Sequence, residues 1–245
     1  MPVTMKVLDL FSGIGGFSLG LERAGMETVA FCEIDPYCQR VLAKHWPGVK
    51  IHDDITKLNG KQYAGAIDVI CGGFPCQDIS VGHNWTEAKG IEGKRSGLWW
   101  EYHRIIRETA PKFIIIENVA ALRTRGLGRV LQSLDEIGYV GEWHVIPGTA
   151  VGAEHRRERV WIIAHHQSIR MERLWPEGFI KPQSLAEPLL PLRNGDGQWE
   201  IEPDLRRSDD GIPAGLATLE LHAIGNSILP QMAEAIGKGI LKAAA

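Results

Sequence analysis

Five short apolar runs, each ending on a glycine or an acid, constrain this chain most. Lys6 to Phe11 runs into Ser12-Gly13-Ile14-Gly15-Gly16, and Thr28 to Cys32 ends at Glu33. Val49 to His52 ends at Asp53-Asp54, Ile67 to Cys71 at Gly72-Gly73, and Lys112 to Ile116 at Glu117-Asn118. Runs of this length bounded by turn residues read as buried strands. Helical patterns separate them. Phe17, Leu21 and Ala24 share a helical face before Gly25, and Pro36 opens a helix reaching about His45. Leu98 to Thr109 turns Leu98, Tyr102, Ile105 and Ile106 inward. A further helix is expected from about Gly128 to Ile137, then strands over Tyr139 to Ile146 and Val160 to Ala164. The last helix runs from Ser227 through Leu241, with Ile228, Met232, Ile236 and Ile240 on one stripe. The alternation predicts an α/β fold, doubly wound, with a mostly parallel sheet covered by helices on both faces.

At 245 residues and 44% hydrophobic content, the chain suits one large domain with at most a small appendage. Regular patterning stops after His166 and returns near 222, so 1–166 plus 222–245 is expected to form the main body. The proline-rich stretch 167–221 is expected to form a loop-rich appendage. Four cysteines (Cys32, Cys38, Cys71, Cys76) contain no C-x-x-C pair, which removes the usual zinc spacing and suits a reducing, intracellular setting. No metal is expected. No apolar run reaches membrane-spanning length, so no membrane partner is expected. The net charge of −3 neither advertises nor excludes nucleic-acid binding, because such a footprint is local. Arg123, Arg125 and Arg129 form an acid-free cluster, and Arg156, Arg157 and Arg159 form another. By charge alone each reads as a solvated face.

Chemistry collects where the strands end. In Cys71-Gly72-Gly73-Phe74-Pro75-Cys76-Gln77-Asp78-Ile79-Ser80, two glycines free the backbone and Pro75 fixes the torsion before Cys76. A thiol on a stiff turn after a strand sits where open α/β sheets place reactive groups. The glycine loop at 13–16 lets a ligand approach the backbone, and the helix start behind it favours an anionic group. A dinucleotide fingerprint would need glycine at position 18, where the chain has Ser18, so pyrophosphate is disfavoured. Glu33 can accept hydrogen bonds from two ribose hydroxyls, and Asp54 could bind an adenine amino group. A nucleoside with a carboxylate tail, such as S-adenosylmethionine (SAM), fits this order better than one with phosphates. Glu117 is expected to be partly desolvated, with a raised pKa that lets it hold a proton.

Together these stretches resemble the DNA (cytosine-5) methyltransferases. The matching pieces run in order: Asp9 to Gly16, Glu33, Asp54-Ile55-Thr56, Gly73-Phe74-Pro75-Cys76-Gln77, Glu117-Asn118-Val119, Arg156-Arg157-Glu158-Arg159 and Gly225-Asn226-Ser227. Asp78-Ile79-Ser80 and Arg95 to Trp100 look most like small phage and prophage members. The resemblance implies the Rossmann-like class I fold of SAM-dependent methyltransferases. It also implies methyl transfer from SAM, leaving S-adenosylhomocysteine, to C5 of a flipped-out cytosine in double-stranded DNA.

Residue by residue, the resemblance makes Cys76 the nucleophile on cytosine C6. Glu117 holds N3, while Arg157 and Arg159 support the thiolate and the cytosine carbonyl. Phe11, Gly13, Ile14, Gly15, Gly16, Glu33, Ile34, Asp54, Ile55, Pro75, Leu98, Asn226 and Ser227 would form the cofactor site. Gln77, Ser80, His83, Lys89, Lys94, Arg95, Arg123, Arg125, His155 and Arg156 would meet DNA. The segment 167–221 would be a short target-recognition region. The setting implied is the cytoplasm of a bacterial or phage-infected cell. A monomer is expected, with a cognate restriction endonuclease as the partner such enzymes can have.

The chain departs from the family pattern in places. Ile34 stands where an aromatic often covers the adenine, His155 replaces a usual glutamine, and the expected Arg- and Glu-containing stretch is not recognisable in 209–223. The short recognition segment keeps an RNA (transfer-RNA type) cytosine-5 methyltransferase as the alternative. A non-catalytic DNA-binding relative is a third reading, opposed by the intact Cys76, Glu117 and Arg159.

Overall fold

The computed structural model describes residues 4–75, 97–153, 157–169 and 227–244. Its centre is a seven-stranded sheet in the order β3-β2-β1-β4-β5-β7-β6. The strands are β1 (Lys6–Leu10), β2 (Glu27–Cys32), β3 (Lys50–His52), β4 (Val69–Gly72), β5 (Phe113–Val119), β6 (Tyr139–Ile146) and β7 (Arg159–His166). The first five are parallel; β7 runs antiparallel to β5, and β6 antiparallel to β7. The doubly wound expectation therefore holds, with an antiparallel pair at one margin. The chain winds outward from β1 to β3, then returns to place β4 on the other side of β1. The carboxyl ends of β1 and β4 thus form the topological switch point where open α/β sheets bind ligands.

Strand alternation feeds two apolar layers. Leu8, Leu10, Ile70, Ile114 and Ile116 face the layer containing Trp99, Tyr102, Ile105 and Val130. That layer is covered by α3 (Leu98–Thr109) and α5 (Leu127–Asp135). Val7, Val69, Cys71, Phe113 and Ile115 face the other layer, with Leu21, Met232, Ile236 and Ile240. It is covered by α1 (Gly16–Arg23) and the terminal α6 (Pro230–Ala243). Between β2 and β3 lies α2 (Pro36–His45), with Pro36 at its start and the Asp35 side chain accepting from the Tyr37 and Cys38 N–H groups.

The approach of α1 to α6 depends on missing side chains. A Cβ at Gly20 would strike the Pro230 carbonyl, and one at Gly237 would lie 2.9 Å from the Ala24 Cβ. This contact carries Ile228 to Gly16 of the glycine loop, where a Cβ would lie 3.0 Å from the Ile228 Cγ1. The last helix begins at Pro230 rather than Ser227 because Pro pre-sets the first helical torsion and needs no N–H partner there. A short helix absent from the sequence reading, α4 (Leu122–Arg125), follows β5. It buries only Leu122, too little apolar pattern to signal itself. The expected strand ending at Ile116 continues through Val119, because β7 pairs with it as far as Arg159. Glu117 and Asn118 are therefore strand residues. Of the appendage, only 167–169 are described.

Candidate active site

The switch point collects the loops after β1, β2 and β4. After β1 the chain turns sharply: Phe11 has φ 53°, Gly13 φ 55° and Gly15 φ 88°, in the left-handed region that favours glycine. A Cβ at Gly15 would lie 2.6 Å from the Trp46 ring, so only glycine lets that indole close beneath the loop. Trp46 is in turn held by its indole N–H donating to Glu22 at 2.8 Å. The loop is tied across the sheet by the Ser12 N–H donating to the Cys32 carbonyl at 3.2 Å.

Glu33 binds this loop directly. Its carboxylate accepts from the Gly13 N–H at 2.7 Å and the Asp35 N–H at 2.8 Å. Phe11 is half-buried and stacks near-parallel on Tyr102 at 6.2 Å. Ile34, next to Glu33, is 73% exposed. Ile55 is buried, its carbonyl accepting from the Arg104 guanidinium at 2.7 Å. Asp54 lies beyond the end of β3, and its Oδ1 accepts from the Thr56 N–H and hydroxyl at 2.9 and 2.7 Å. These bonds hold the Asp54 carboxyl below its ordinary pKa. Glu33, Phe11, Gly13, Ile14, Gly15 and Gly16 gather on one side of the switch point, with Asp54 and Ile55 beyond the end of β3. Pro75 and Leu98 bracket 76–96 and are half-buried.

Beneath the loop lies a residue the sequence reading used only as part of a motif. Asp9 is fully buried and accepts from the Ser18 hydroxyl at 2.7 Å, while its Oδ1 has no hydrogen-bond partner. Burial pushes its pKa up to about 7, against the lowering effect of Ser18. Ser18, which broke the dinucleotide pattern, instead joins the first helix to the first strand across the loop.

On the other side of the switch point, Glu117 stands next to the end of β4. A Cβ at Gly73 would lie 2.8 Å from Glu117 Oε2, so the glycine before Phe74-Pro75 makes room for the carboxyl. Asn118, facing the opposite way, donates from Nδ2 to the Phe74 carbonyl at 3.0 Å and fixes the same turn. Glu117 Oε1 meets Arg159 Nε at 2.8 Å across the β5–β7 pair. Burial raises the Glu117 pKa; the charges of Arg159 and then Arg157 oppose the shift without cancelling it. Glu117, Arg157, Arg159, Trp161 and Ser227 line one small cavity with Met232. The expected raised pKa of Glu117 is found, and the solvated-face reading of Arg159 gives way to an ion pair. Cys76, Gln77, Ser80, His83, Lys89, Lys94, Arg95, His155, Arg156 and Asn226 lie outside the described residues. Arg123 is exposed and Arg125 half-buried, both on α4. Among the described residues no group of His, Cys, Asp and Glu could hold a metal ion. Among them, too, no helix is long and apolar enough to cross a membrane.

A seven-stranded, doubly wound sheet with a glycine loop and two sequestered acids at its switch point has the architecture of class I SAM-dependent methyltransferases. A family model for C-5 cytosine-specific DNA methylases matches residues 5–203, and the chain belongs to that family. It is 38% identical over 168 residues to the Type II methyltransferase M2.BsuMI of Bacillus subtilis, covering 65% of this chain and 42% of that one. It is 32% identical over 219 residues to M.NgoBI of Neisseria gonorrhoeae, covering 88% and 65%. The chain spans about half the length of the curated relatives it matches. The methyltransferase EhMeth of Entamoeba histolytica shares the fold, with a TM-score of 0.66 over 98% of both chains at 13% identity.

Proposed function

We propose that the chain is a DNA cytosine-5 methyltransferase that modifies a cytosine flipped out of duplex DNA through a covalent bond between Cys76 and C6. The observation that carries this reading is Glu117. It is a buried carboxyl with a raised pKa, ion-paired to Arg159 and packed against the turn that leads into Cys76. Pro75, the last described residue of that turn, directly precedes the thiol.

The chemistry follows from the groups present. A thiol of ordinary pKa near ~8.5 attacks as its thiolate, which a neighbouring cation favours. Arg157 supplies such a charge near the site, while Arg159 is engaged with Glu117. Attack at C6 forms the sulfur–carbon bond and pushes electrons toward N3. Glu117 gives its proton to N3 and so accepts the displaced charge without leaving an unpaired anion. The former C5–C6 π pair now lies between C4 and C5 as an enamine, which makes C5 nucleophilic, and SAM, when bound, supplies the electrophilic methyl group there. A base removes the C5 proton, the C5–C6 double bond re-forms as the Cys76 thiolate leaves, and the N3 proton returns to the Glu117 carboxylate. Because the target carbon is stacked inside a duplex, the base must leave the helix, at a cost of roughly a few kcal/mol.

The residues around the switch point suit SAM. Glu33 presents two carboxylate oxygens, each with capacity beyond its single backbone N–H. Phe11 and Ile34 offer apolar surface for a purine, whose edge Asp54 and Ile55 would meet. The glycine loop admits close approach, and Ser227, carried in by α6, stands by the cavity at Glu117. The relatives named as Type II methyltransferases support duplex DNA as substrate and raise the question of a cognate restriction endonuclease.

Matched DNA and RNA containing 5-fluorocytosine test the proposal, because fluorine cannot leave as a proton does. With SAM present, wild type is expected to form a stable adduct on DNA, and Cys76→Ser none while still binding SAM. An adduct only on RNA overturns the substrate. Full turnover by the serine variant overturns the mechanism.

A further inference from the structure

Beside the site, the carboxyl edge of the sheet carries a basic surface that the reaction does not use. From Asn118 to Leu134 the chain has no acid and three arginines, Arg123, Arg125 and Arg129. The fold compacts them. Arg123 and Arg125 lie on α4, directly after the strand that bears Glu117, and Arg129 lies in the first turn of α5, which packs on α4. Trp100, in the first turn of α3, lies under Arg129, whose guanidinium carbon is 5.3 Å from the ring centroid. Since α3 follows β4 and α5 follows β5, both helices start at the edge where Pro75 and Glu117 stand.

Arg123 and Arg129 are exposed, and no carboxylate pairs with either among the described residues. Glu101, the nearest acid in sequence to Trp100, is engaged by Arg104 at 2.8 Å. His103, beside Trp100, has its pKa lowered by burial and adds no positive charge at neutral pH. Solvated arginines on a helix usually alternate with acids, which satisfy them locally. Here the charges are left outward, and one is held in place by an aromatic ring. A guanidinium seated over a ring keeps its N–H edges for an outside acceptor while losing less freedom on binding.

We infer that Trp100, Arg123 and Arg129 form a phosphate rail that grips the DNA backbone beside the flipped base. The inference rests on duplex DNA as the substrate; Arg123 is already expected to meet it, and Arg129 with its Trp100 seat is added from the fold. Such contacts set position and affinity, and they carry no sequence information.

Each phosphate contact contributes about 0.9 to the slope of log affinity against log salt. The full chain is titrated with an unmethylated duplex at several salt concentrations. Arg123→Gln/Arg129→Gln is expected to reduce that slope by close to ~2 and to weaken binding about tenfold near ~0.1 M salt. The loss should be equal on cognate and unrelated duplexes, with SAM affinity unchanged. Lys112→Gln, a cation at the opposite sheet edge paired with Asp68, should change neither quantity. Trp100→Leu should weaken binding a few-fold while keeping the slope, because the charge remains and only its seat is lost. An unchanged slope in the double variant, or an equal fall in the Lys112 control, overturns the rail. Wild-type protein that binds no duplex at any salt, while binding SAM, refutes the substrate reading instead and the rail with it.

Discussion

Glu33 and Glu117 are the same residue type, equally sequestered at 9% exposure, at the carboxyl ends of parallel strands in one sheet. Their surroundings suit them to opposite uses. Glu33 follows β2 and is held by two backbone N–H groups, neutral donors fixed by the fold. Glu117 lies within β5, held by a charged side chain, Arg159, in a pocket lined by Trp161 and Met232. Backbone donors fix a carboxylate as an acceptor and leave it capacity for hydroxyl groups. Apolar burial makes a carboxyl retain its proton, and the cation tempers that tendency. Partners and desolvation, more than residue type or exposure, separate a binding acid from a proton-carrying one.

Replacing Glu117 breaks the comparison most severely. Glu117→Gln keeps the shape and removes the proton the site can deliver, so methyl transfer is expected to fall about a thousandfold, within the usual range for a general acid. SAM affinity should stay within about twofold, since Glu33 is untouched. Single-turnover transfer and equilibrium SAM binding, measured on one preparation, check this. A matched loss in both would mean that the two acids share one role.

Most of this contrast was legible in the sequence, and the missing parts have physical reasons. Strand ends were visible because apolar runs stop at glycines and acids, which located Glu33, the glycine loop and Glu117. The raised pKa of Glu117 followed from its place after a β-branched run. Its partner was not visible from charge: Arg159 is 42 residues away, and only the antiparallel β5–β7 register brings the two together. Strand direction leaves no mark on an apolar run, so the antiparallel margin was not read either. Asp9 looked like one letter of a motif, because burial of a carboxyl under a loop depends on both flanking strands. The ring beneath Arg129 was equally hidden, since Trp100 belongs to another helix.

Asp9 gives a third environment and a way to sharpen the comparison. It has no cation beside it, only the Ser18 hydroxyl and backbone N–H and its neighbour Cys71 on β4, and the charge of Glu33 adds to the effect of burial. Its pKa, pushed from 3.8 to about 7, means that the folded chain binds this proton more tightly than the unfolded chain does. Between those pH values folding takes up a proton, so this contribution to stability falls as pH rises, and above about 7 it is fully lost. Glu117, also raised, acts in the same direction. Asp9→Asn should flatten the fall by roughly 4 kcal/mol across pH 4–8 in denaturant unfolding. A variant curve parallel to wild type would show that Asp9 is charged in the fold.

Glu33 provides the smallest effect and the finest discrimination. Glu33→Gln keeps one acceptor oxygen of similar shape but turns charge-assisted bonds into neutral ones and offers N–H where an acceptor stood. One such bond is worth about 1.5–3 kcal/mol when charged and about half that when neutral. The expected result is roughly tenfold weaker SAM binding, because the lost difference is near ~1.4 kcal/mol. The Gly13 N–H keeps an acceptor in this variant, so the loop should stay folded and duplex affinity should be unchanged. Glu33→Ala removes both acceptors, leaves the Gly13 and Asp35 N–H groups without their carboxylate, and should add a loss of thermal stability. If glutamine were as damaging to stability as alanine, Glu33 would serve chiefly as a charged clamp on the loop. If glutamine bound SAM like wild type, the carboxylate would have no part in holding the ribose, and the contrast with Glu117 would reduce to one of loop architecture.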